Sequence, residues 1–104
     1  MDEAFKIAGY KTKGIHVSYD LDVIDPKIAP GVSVPEIDGI NEEEAMQFSE
    51  YIEKHINDIV SMDLVEFNPL RDVDRKTEQI ALNVATQMIR AAEKKKKWEE
   101  KKYY

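Results

Sequence analysis

The sequence predicts an α/β fold in which a parallel sheet is connected by crossover helices. Two segments have the character of strands, an amphipathic helix separates them, and a long helix follows the second strand. Strands separated by helices pair in parallel through right-handed crossovers. The chain has 104 residues and no cysteine, which allows one domain at most and excludes a disulfide scaffold, a zinc finger and a thiol nucleophile.

The net charge of −6 is unevenly distributed along the chain. Residues 1–89 carry 8 Lys or Arg against 18 Asp or Glu, whereas residues 90–104 carry 7 against 3. An acidic body argues against nucleic acid as a partner and suits hard cations or a cationic substrate. No stretch approaches the ~20 apolar residues of a membrane span, and no signal-peptide run is visible. We therefore expect a cytoplasmic protein without a membrane partner.

The amino-terminal part of the chain predicts a short helix, a strand and a long connection. Residues 2–8 are mostly helix formers with three apolar positions. Residues 15–21 alternate between apolar and polar side chains, as a strand with one buried face does. Residues 23–39 hold three prolines and two glycines but few charges. Long connections in compact domains are usually functional or disordered, and the apolar content here favours an ordered functional loop.

The remaining part predicts a helix, a strand and a second helix. Asn41 is a good N-cap with Glu44 at the capping-box position, and apolar residues at helical spacing predict an amphipathic helix over 41–58. Residues 59–67 are short, apolar and rich in strand formers, which predicts a second, mostly buried strand that ends before Pro69. An apolar stripe predicts a final helix over residues 76–97; its members are Ile80, Ala81, Val84, Ala85, Met88, Ile89 and Ala92.

Three carboxylates lie at the carboxyl ends of the two predicted strands, where ligands bind in open parallel sheets. Asp20 and Asp22 end the first strand, and Glu66 lies near the end of the second. Residues two apart on a strand lie ~6.5–7 Å apart, so two such carboxylates can hold one hard cation or bracket two. Oxygen ligands without thiols favour Mg²⁺, Ca²⁺ or Mn²⁺. The alternative is that Asp20, Asp22 and the following Asp25-Pro26 only shape a turn, and the spacing alone leaves both open.

Two motifs resemble those of the arginase/agmatinase (ureohydrolase) family. Residues 18–26 read Ser-Tyr-Asp-Leu-Asp-Val-Ile-Asp-Pro and resemble the family signature Ser-Phe-Asp-x-Asp-x-x-Asp-Pro. Residues 63–69 read Asp-Leu-Val-Glu-Phe-Asn-Pro and resemble its second carboxyl-terminal motif, in a form more similar to arginase than to agmatinase. The resemblance covers residues 14–92. It implies an arginase-like three-layer α/β/α fold, of which this chain holds only the carboxyl-terminal part.

The resemblance also implies roles for individual residues and a cofactor. Asp20 would bridge two Mn²⁺ ions, Asp22 would chelate the second ion, and Glu66 would bind the guanidinium of the substrate. A metal-bridging hydroxide would attack the guanidinium carbon and hydrolyse L-arginine to L-ornithine and urea. Asp25 is interpreted as shaping the turn rather than as a ligand. The partners implied are a small guanidino substrate and further copies of the chain, as a trimer or hexamer.

The sequence departs from the family pattern in several places. Many members have Gly-Thr-Pro where this chain has Ser33-Val34-Pro35, which weakens any assignment of substrate contacts in the loop. The upstream Gly-Gly-x-His and Asp-Ala-His-x-Asp motifs of the family do not occur. His16 and His55 lie in neither context, so we interpret the first as structural and the second as a surface or boundary residue. No catalytic residue is assigned, and we expect the 104-residue chain to be inactive by itself.

Three functional interpretations remain open. The chain is the carboxyl-terminal part of a manganese arginase, a part of a sister amidinohydrolase such as agmatinase, or a non-catalytic interaction or regulatory module. We expect residues 1–92 to form the carboxyl-terminal segment of a ureohydrolase domain and residues 93–104 to form a charged, Lys-rich tail. Weak candidates for subunit contacts in that tail are Trp98, Tyr103 and Tyr104.

Overall fold

A computed structural model describes residues 1–103, except for the side chains of Trp98, Lys102 and Tyr103. The predicted tail anchors therefore cannot be followed: the side chains of Trp98 and Tyr103, and the whole of Tyr104, lie outside the described part of the chain. The order of elements is the predicted one, with helices α1 (Asp2–Gly9), α2 (Glu42–Lys54) and α3 (Lys76–Tyr103) and strands β1 (Ile15–Asp20) and β2 (Ile59–Val65). Within residues 1–103, no helix is both long enough and apolar enough to cross a membrane.

The two strands form a parallel sheet, which confirms the predicted topology. The register pairs His16 with Ser61 and Asp20 with Val65, and an irregularity follows the first pair, Ile15 with Ile59. The connection between the strands runs through α2, as a parallel pair requires. Both strands consequently end at the same edge of the sheet.

The core lies between one face of the sheet and the helices α2 and α3. The inward side chains of β1 alternate with polar outward ones, as predicted: Ile15 and Tyr19 are buried, whereas His16 and Ser18 are exposed. The tyrosine hydroxyl donates a hydrogen bond to the carbonyl of Ala45 on α2 at 3.4 Å. The buried cluster is completed from β2, the loop and the helices by Leu21, Ile24, Ala29, Val32, Ile52, Ile56, Ile59, Val84 and Ala91.

The connection between β1 and α2 is ordered, because its two ends are fastened together. Ile24 and Ile40 form an isolated parallel bridge, in which Asp25 N–H donates to the Ile40 carbonyl at 2.9 Å and Ile40 N–H donates to the Val23 carbonyl at 2.8 Å. Gly39 lies against this neck, where a Cβ atom would be 2.5 Å from the Val23 carbonyl oxygen. The loop contributes Ile24, Ala29 and Val32 to the core, whereas Val34 and Ile37 are exposed.

Two sequence-based expectations about α2 and β2 differ from the structure. Helix α2 ends at Lys54, and residues 56–58 form a 3₁₀ turn instead of continuing the helix. Strand β2 is not mostly buried, because Val60 is 61% exposed and residues 62–65 are half-buried. In the described residues the sheet has two strands, so no strand pairs with the outer edge of β2.

The final helix also differs from its prediction in length and in its apolar stripe. Helix α3 continues to Tyr103 rather than ending near residue 97. Ile89 and Ala92 belong to the predicted apolar stripe but are exposed, and Ala91, outside that stripe, is buried. In this part of α3, Ala91 faces the core, and the ammonium of Lys95 still donates a hydrogen bond to the Ile59 carbonyl at the start of β2.

Candidate active site

The structure brings the three predicted carboxylates to one edge of the sheet. Asp20 is the last residue of β1, Asp22 lies in the 3₁₀ turn that follows it, and Glu66 comes directly after β2. Because Asp20 is paired with Val65 across the sheet, the backbone of Glu66 lies one residue beyond that pair. The site is therefore built by the parallel register, which aligns the carboxyl ends of the two strands.

Asp22 is the group on which the negative charges of this edge converge. Its side chain is half-buried, and this burial is the largest cause that raises the pKa of Asp22 to about 6. A hydrogen bond with Asp20 and the charges of Asp20, Glu66 and Glu36 raise it further. A site that disfavours its own carboxylates in this way is stabilised by a cation or by a cationic substrate.

The turn interpretation of the Asp-x-Asp motif is also realised. Asp20 Oδ1 accepts a hydrogen bond from the backbone N–H of Asp22 at 2.9 Å and so caps the 3₁₀ turn. Asp25 Oδ1 accepts from Lys27 N–H at 2.9 Å, and the Asp25 carbonyl accepts from two further N–H groups of the next turn. Asp25 thus shapes the turn, whereas Asp20 combines a capping contact with a position beside Asp22.

Glu66 adopts a backbone conformation that side chains usually avoid. Its φ is +71°, in the left-handed region where a β-carbon costs roughly 1–2 kcal/mol. Strain of this kind persists where the surrounding structure enforces it, and it clusters at functional sites. The side chain is exposed on the open edge of the sheet, next to the charge of Asp22.

Hydrogen bonds join the loop that follows β1 to the second motif, residues 63–69, and to the start of α3. Gly31 N–H donates to the buried Thr77 Oγ1 at 2.7 Å, and the Gly31 carbonyl accepts from Asn68 N–H at 2.7 Å. Asn68 Nδ2 also donates to Ser33 Oγ at 3.2 Å. A Cβ atom on Gly31 would lie 3.0 Å from Thr77. These contacts hold the segment that follows β2 against the loop that follows β1.

Three polar features of the structure were not predicted from the sequence. Glu36, the loop residue that follows Ser33-Val34-Pro35, contributes charge at Asp22. Asp72 accepts the backbone N–H groups of Thr77 and Glu78 at the start of α3; burial opposes it, but these bonds hold its pKa below the usual range. The usual capping signal does not identify Asp72, because an N-cap residue directly precedes its helix and Asp72 lies four residues before Lys76.

A polar network on the outward face of the sheet was the third feature missed. His16 hydrogen-bonds Ser61 Oγ at 2.7 Å and Asp63 Oδ2 at 3.1 Å, and Ser18 Oγ donates to Asp63 Oδ1 at 2.6 Å. The structural interpretation of His16 fits this network, which lies towards the start of the strand and away from Asp22. His55 is half-buried and stacks on Tyr51, at the boundary position expected for it.

The donors present are those of a partial site for a hard cation. Carboxylate oxygens suit Mn²⁺ and Mg²⁺, and the mutual repulsion at Asp22 would be relieved by such an ion. However, no three His, Asp or Glu side chains in the described part of the chain come close enough together to hold a metal ion. Their carboxylate oxygens are donors of the kind that Mn²⁺ accepts, but the described residues do not form a complete ligand set.

Comparisons with known proteins agree on one family. A profile of the Arginase family matches residues 1–90. The arginase of Bacillus caldovelox is 39% identical over 83 residues, which are 79% of this chain and 27% of that protein. The arginase of Brevibacillus brevis is 38% identical over 82 residues, and the mitochondrial arginase 1 of Oryza sativa is 36% identical over 87 residues.

Solved structures show the same relationship in three dimensions. The Bacillus caldovelox arginase structure superposes with a TM-score of 0.73 at 34% identity, covering 83% of this chain and 28% of that one. The agmatine ureohydrolase of Thermoplasma volcanium superposes with a TM-score of 0.71 at 31% identity, covering 92% of this chain and 31% of that one.

The matched fold and the two motifs define a partial arginase-like α/β unit. The chain belongs to the arginase family. It spans about a quarter of the length of the curated relatives that it matches.

Proposed function

We propose that this chain supplies the carboxylate half of a binuclear manganese arginase site. The observation that carries the proposal is the convergence of Asp20, Asp22 and Glu66 at the carboxyl ends of two adjacent parallel strands. Family membership and the similarity to several arginases support the reaction class, which is hydrolysis of a guanidino group. Further ligands must come from protein outside this chain, since the described residues do not complete a metal site.

Each carboxylate has a distinct task in this proposal. Asp20 and Asp22 would be the carboxylates of this chain that hold two Mn²⁺ ions. Bound ions of this kind lower the pKa of a water molecule and so supply hydroxide as a nucleophile at neutral pH. Glu66 would bind the planar guanidinium through charge-assisted hydrogen bonds and orient its carbon. The site would then release ornithine and urea from arginine.

A sister activity on agmatine is the second candidate. The agmatine ureohydrolase structure covers more of this chain than the Bacillus caldovelox arginase structure does, at comparable TM-score. The Asn68-Pro69 pair after the glutamate favours arginase by resemblance. The substrates differ by one carboxylate, so a direct comparison of L-arginine with agmatine separates the two activities.

The test uses a chimera in which this chain replaces the matching 27% of the Bacillus caldovelox arginase. We expect the chimera to bind Mn²⁺ and to release urea from L-arginine in preference to agmatine. Asp22→Asn should lower the Mn²⁺ content measured by elemental analysis and abolish activity. Glu66→Gln should retain Mn²⁺ but lower kcat/KM by about 10- to 150-fold, since a hydrogen bond to a charged group contributes roughly 1.5–3 kcal/mol.

The matched control is Glu50→Gln, which makes the same chemical change on the exposed surface of α2. Full Mn²⁺ content in Asp22→Asn would remove that residue from the ligand set. Unchanged kcat/KM in Glu66→Gln would remove Glu66 from the substrate site. Urea production by the unfused 104-residue chain would contradict the proposal that the site is only half present.

A further inference from the structure

Ser33 makes a contact that the family pattern does not provide. It is the first residue of Ser33-Val34-Pro35, at the place where many members of the family have Gly-Thr-Pro. Its hydroxyl oxygen accepts a hydrogen bond from Asn68 Nδ2 at 3.2 Å. A glycine at this position has no side chain with which to accept that bond. The contact is therefore a property of this sequence.

Asn68 is the residue through which Ser33 reaches the site, because it lies only two residues after Glu66. Its backbone N–H donates to the Gly31 carbonyl at 2.7 Å, and its Oδ1 accepts the N–H of Leu70 at 3.1 Å. The bond from Nδ2 to Ser33 engages the other end of the same amide group. The half-buried side chain is thus held at both of its polar atoms.

The loop segment next to Ser33 is packed tightly enough to act as a fixed anchor. Val32 is fully buried in the core, and Gly31 N–H donates to Oγ1 of the equally buried Thr77 at 2.7 Å. A Cβ atom on Gly31 would lie 3.0 Å from the side chains of both Asp72 and Thr77. Ser33 directly follows this segment, so its hydroxyl is presented from a fixed backbone although the side chain is exposed.

Glu66 needs restraint on both sides along the chain, because its φ of +71° is a strained conformation for a residue with a β-carbon. Such strain persists only where the surrounding structure enforces it. On the amino side, Val65 is paired with Asp20 in the sheet. On the carboxyl side, Asn68 is joined to the loop by two hydrogen bonds, of which one ends on Ser33.

We propose that Ser33 is a positioning residue for Glu66. Its hydroxyl holds Asn68 against the loop and so fixes the strained turn that presents the glutamate carboxylate to a guanidino substrate. The substrate contact of Glu66 rests on the proposed function. The link from Ser33 to the turn requires neither metal nor substrate, so the two parts are tested separately.

The first experiment measures hydrogen exchange of the Asn68 amide in the isolated chain by nuclear magnetic resonance. We expect Ser33→Ala to speed this exchange about threefold or more, because the amide's bond to Gly31 opens more often once the side chain is released. Ser33→Thr retains the hydroxyl and should exchange at close to the wild-type rate. The matched control is Ser61→Ala, which removes a hydrogen bond with His16 at the other end of the sheet and should leave the Asn68 amide unchanged.

The second experiment measures urea release by the Bacillus caldovelox chimera. Ser33→Ala should lower kcat/KM for L-arginine about 2- to 12-fold at unchanged Mn²⁺ content, which is the range for one neutral hydrogen bond. In a chimera that already carries Glu66→Gln, the same change should cost less than about twofold, because the charged group that Ser33 positions is absent. A merely structural role would lower kcat/KM equally in both.

Each measurement has an outcome that overturns the proposal. Unchanged exchange of the Asn68 amide in Ser33→Ala would do so, and so would fast exchange in Ser33→Thr, because the hydroxyl would then not be the group responsible. An equal loss of kcat/KM with and without Glu66→Gln would show that Ser33 acts on the fold and not on the glutamate. A chimera that releases no urea, in which Ser33→Ala still speeds the exchange, would contradict the proposed function alone.

Discussion

At the scale of single residues, Asp22 makes stability depend on pH in the direction opposite to most carboxylates. Its pKa in the folded chain is about 6, above the ordinary value of 3.8, because of burial and the neighbouring acids. The protonated form therefore favours folding. The contribution to stability is complete below about pH 4 and is lost as the pH rises through about 6.

Asp22→Asn, which stays neutral at every pH, should melt at a higher temperature than the wild-type chain at pH 7.5. The gap should narrow as the pH is lowered to 4.5, because wild-type Asp22 then also becomes neutral. Thermal unfolding followed by circular dichroism at several pH values measures this. The exposed Glu50→Gln variant is the control and should show no comparable trend. A melting temperature for Asp22→Asn below that of the wild-type chain at pH 7.5 would contradict the prediction, because the ionised Asp22 carboxylate would then not destabilise the fold.

Glu66 is a second residue at which stability and the proposed function conflict. Glu66→Gly should stabilise the isolated chain by about 0.5–1 kcal/mol, because glycine adopts φ = +71° without strain. Glu66→Ala also removes the carboxylate but keeps the strained β-carbon. The difference in unfolding free energy between these two variants therefore measures the backbone strain at this position. Urea unfolding measures both. Equal stability of the glycine and alanine variants would show that the conformation stores no strain.

At the scale of elements, the neck of the loop offers a sharp test of why the loop is ordered. Gly39→Ala would place a Cβ atom 2.5 Å from the Val23 carbonyl oxygen and 2.7 Å from Asp25 N. Backbone atoms cannot yield as a side chain does, so we expect a loss of about 1–3 kcal/mol in urea unfolding. Gly9→Ala is the control, because its Cβ would meet only the Ile15 side chain at an ordinary 3.5 Å.

The elements were largely predictable from the sequence because local signals agreed. The capping box at Asn41 and Glu44 is present, with bonds of 2.8 and 3.1 Å, and the alternation of β1 is reproduced in its burial. The predicted burial of β2 was wrong because it depends on neighbouring strands that the pattern of one strand cannot reveal. The positions of Asp20, Asp22 and Glu66 followed from parallel topology, whereas the contribution of Glu36 at Asp22 depends on the path of a long loop.

At the scale of the whole molecule, replacing an exposed apolar side chain should lower stability only where the rest of an arginase domain covers that side chain. Ile89→Lys should change the stability of the isolated chain by no more than about 0.5 kcal/mol, because the side chain is 62% exposed there. If the added part of the chimera covers the groove between α3 and β2 that Ile89 lines, the lysine would be buried there without a carboxylate to pair with. Burying an unpaired charge costs several kcal/mol. We expect the melting temperature of the substituted chimera to fall by several degrees.

The control for this comparison is Met46→Lys, which makes the same change on α2, away from β2 and the groove. Its effect should be small and equal in the isolated chain and in the chimera. Thermal unfolding is measured for both variants in the isolated chain and in the chimera, each compared with its unsubstituted parent. The difference between the two effects of Ile89→Lys measures how strongly Ile89 interacts with the added part of the domain. If Ile89→Lys left the stability of both proteins unchanged, Ile89 would be exposed in the chimera as it is in the isolated chain. The added part of the domain would then have to pack against another face of this chain.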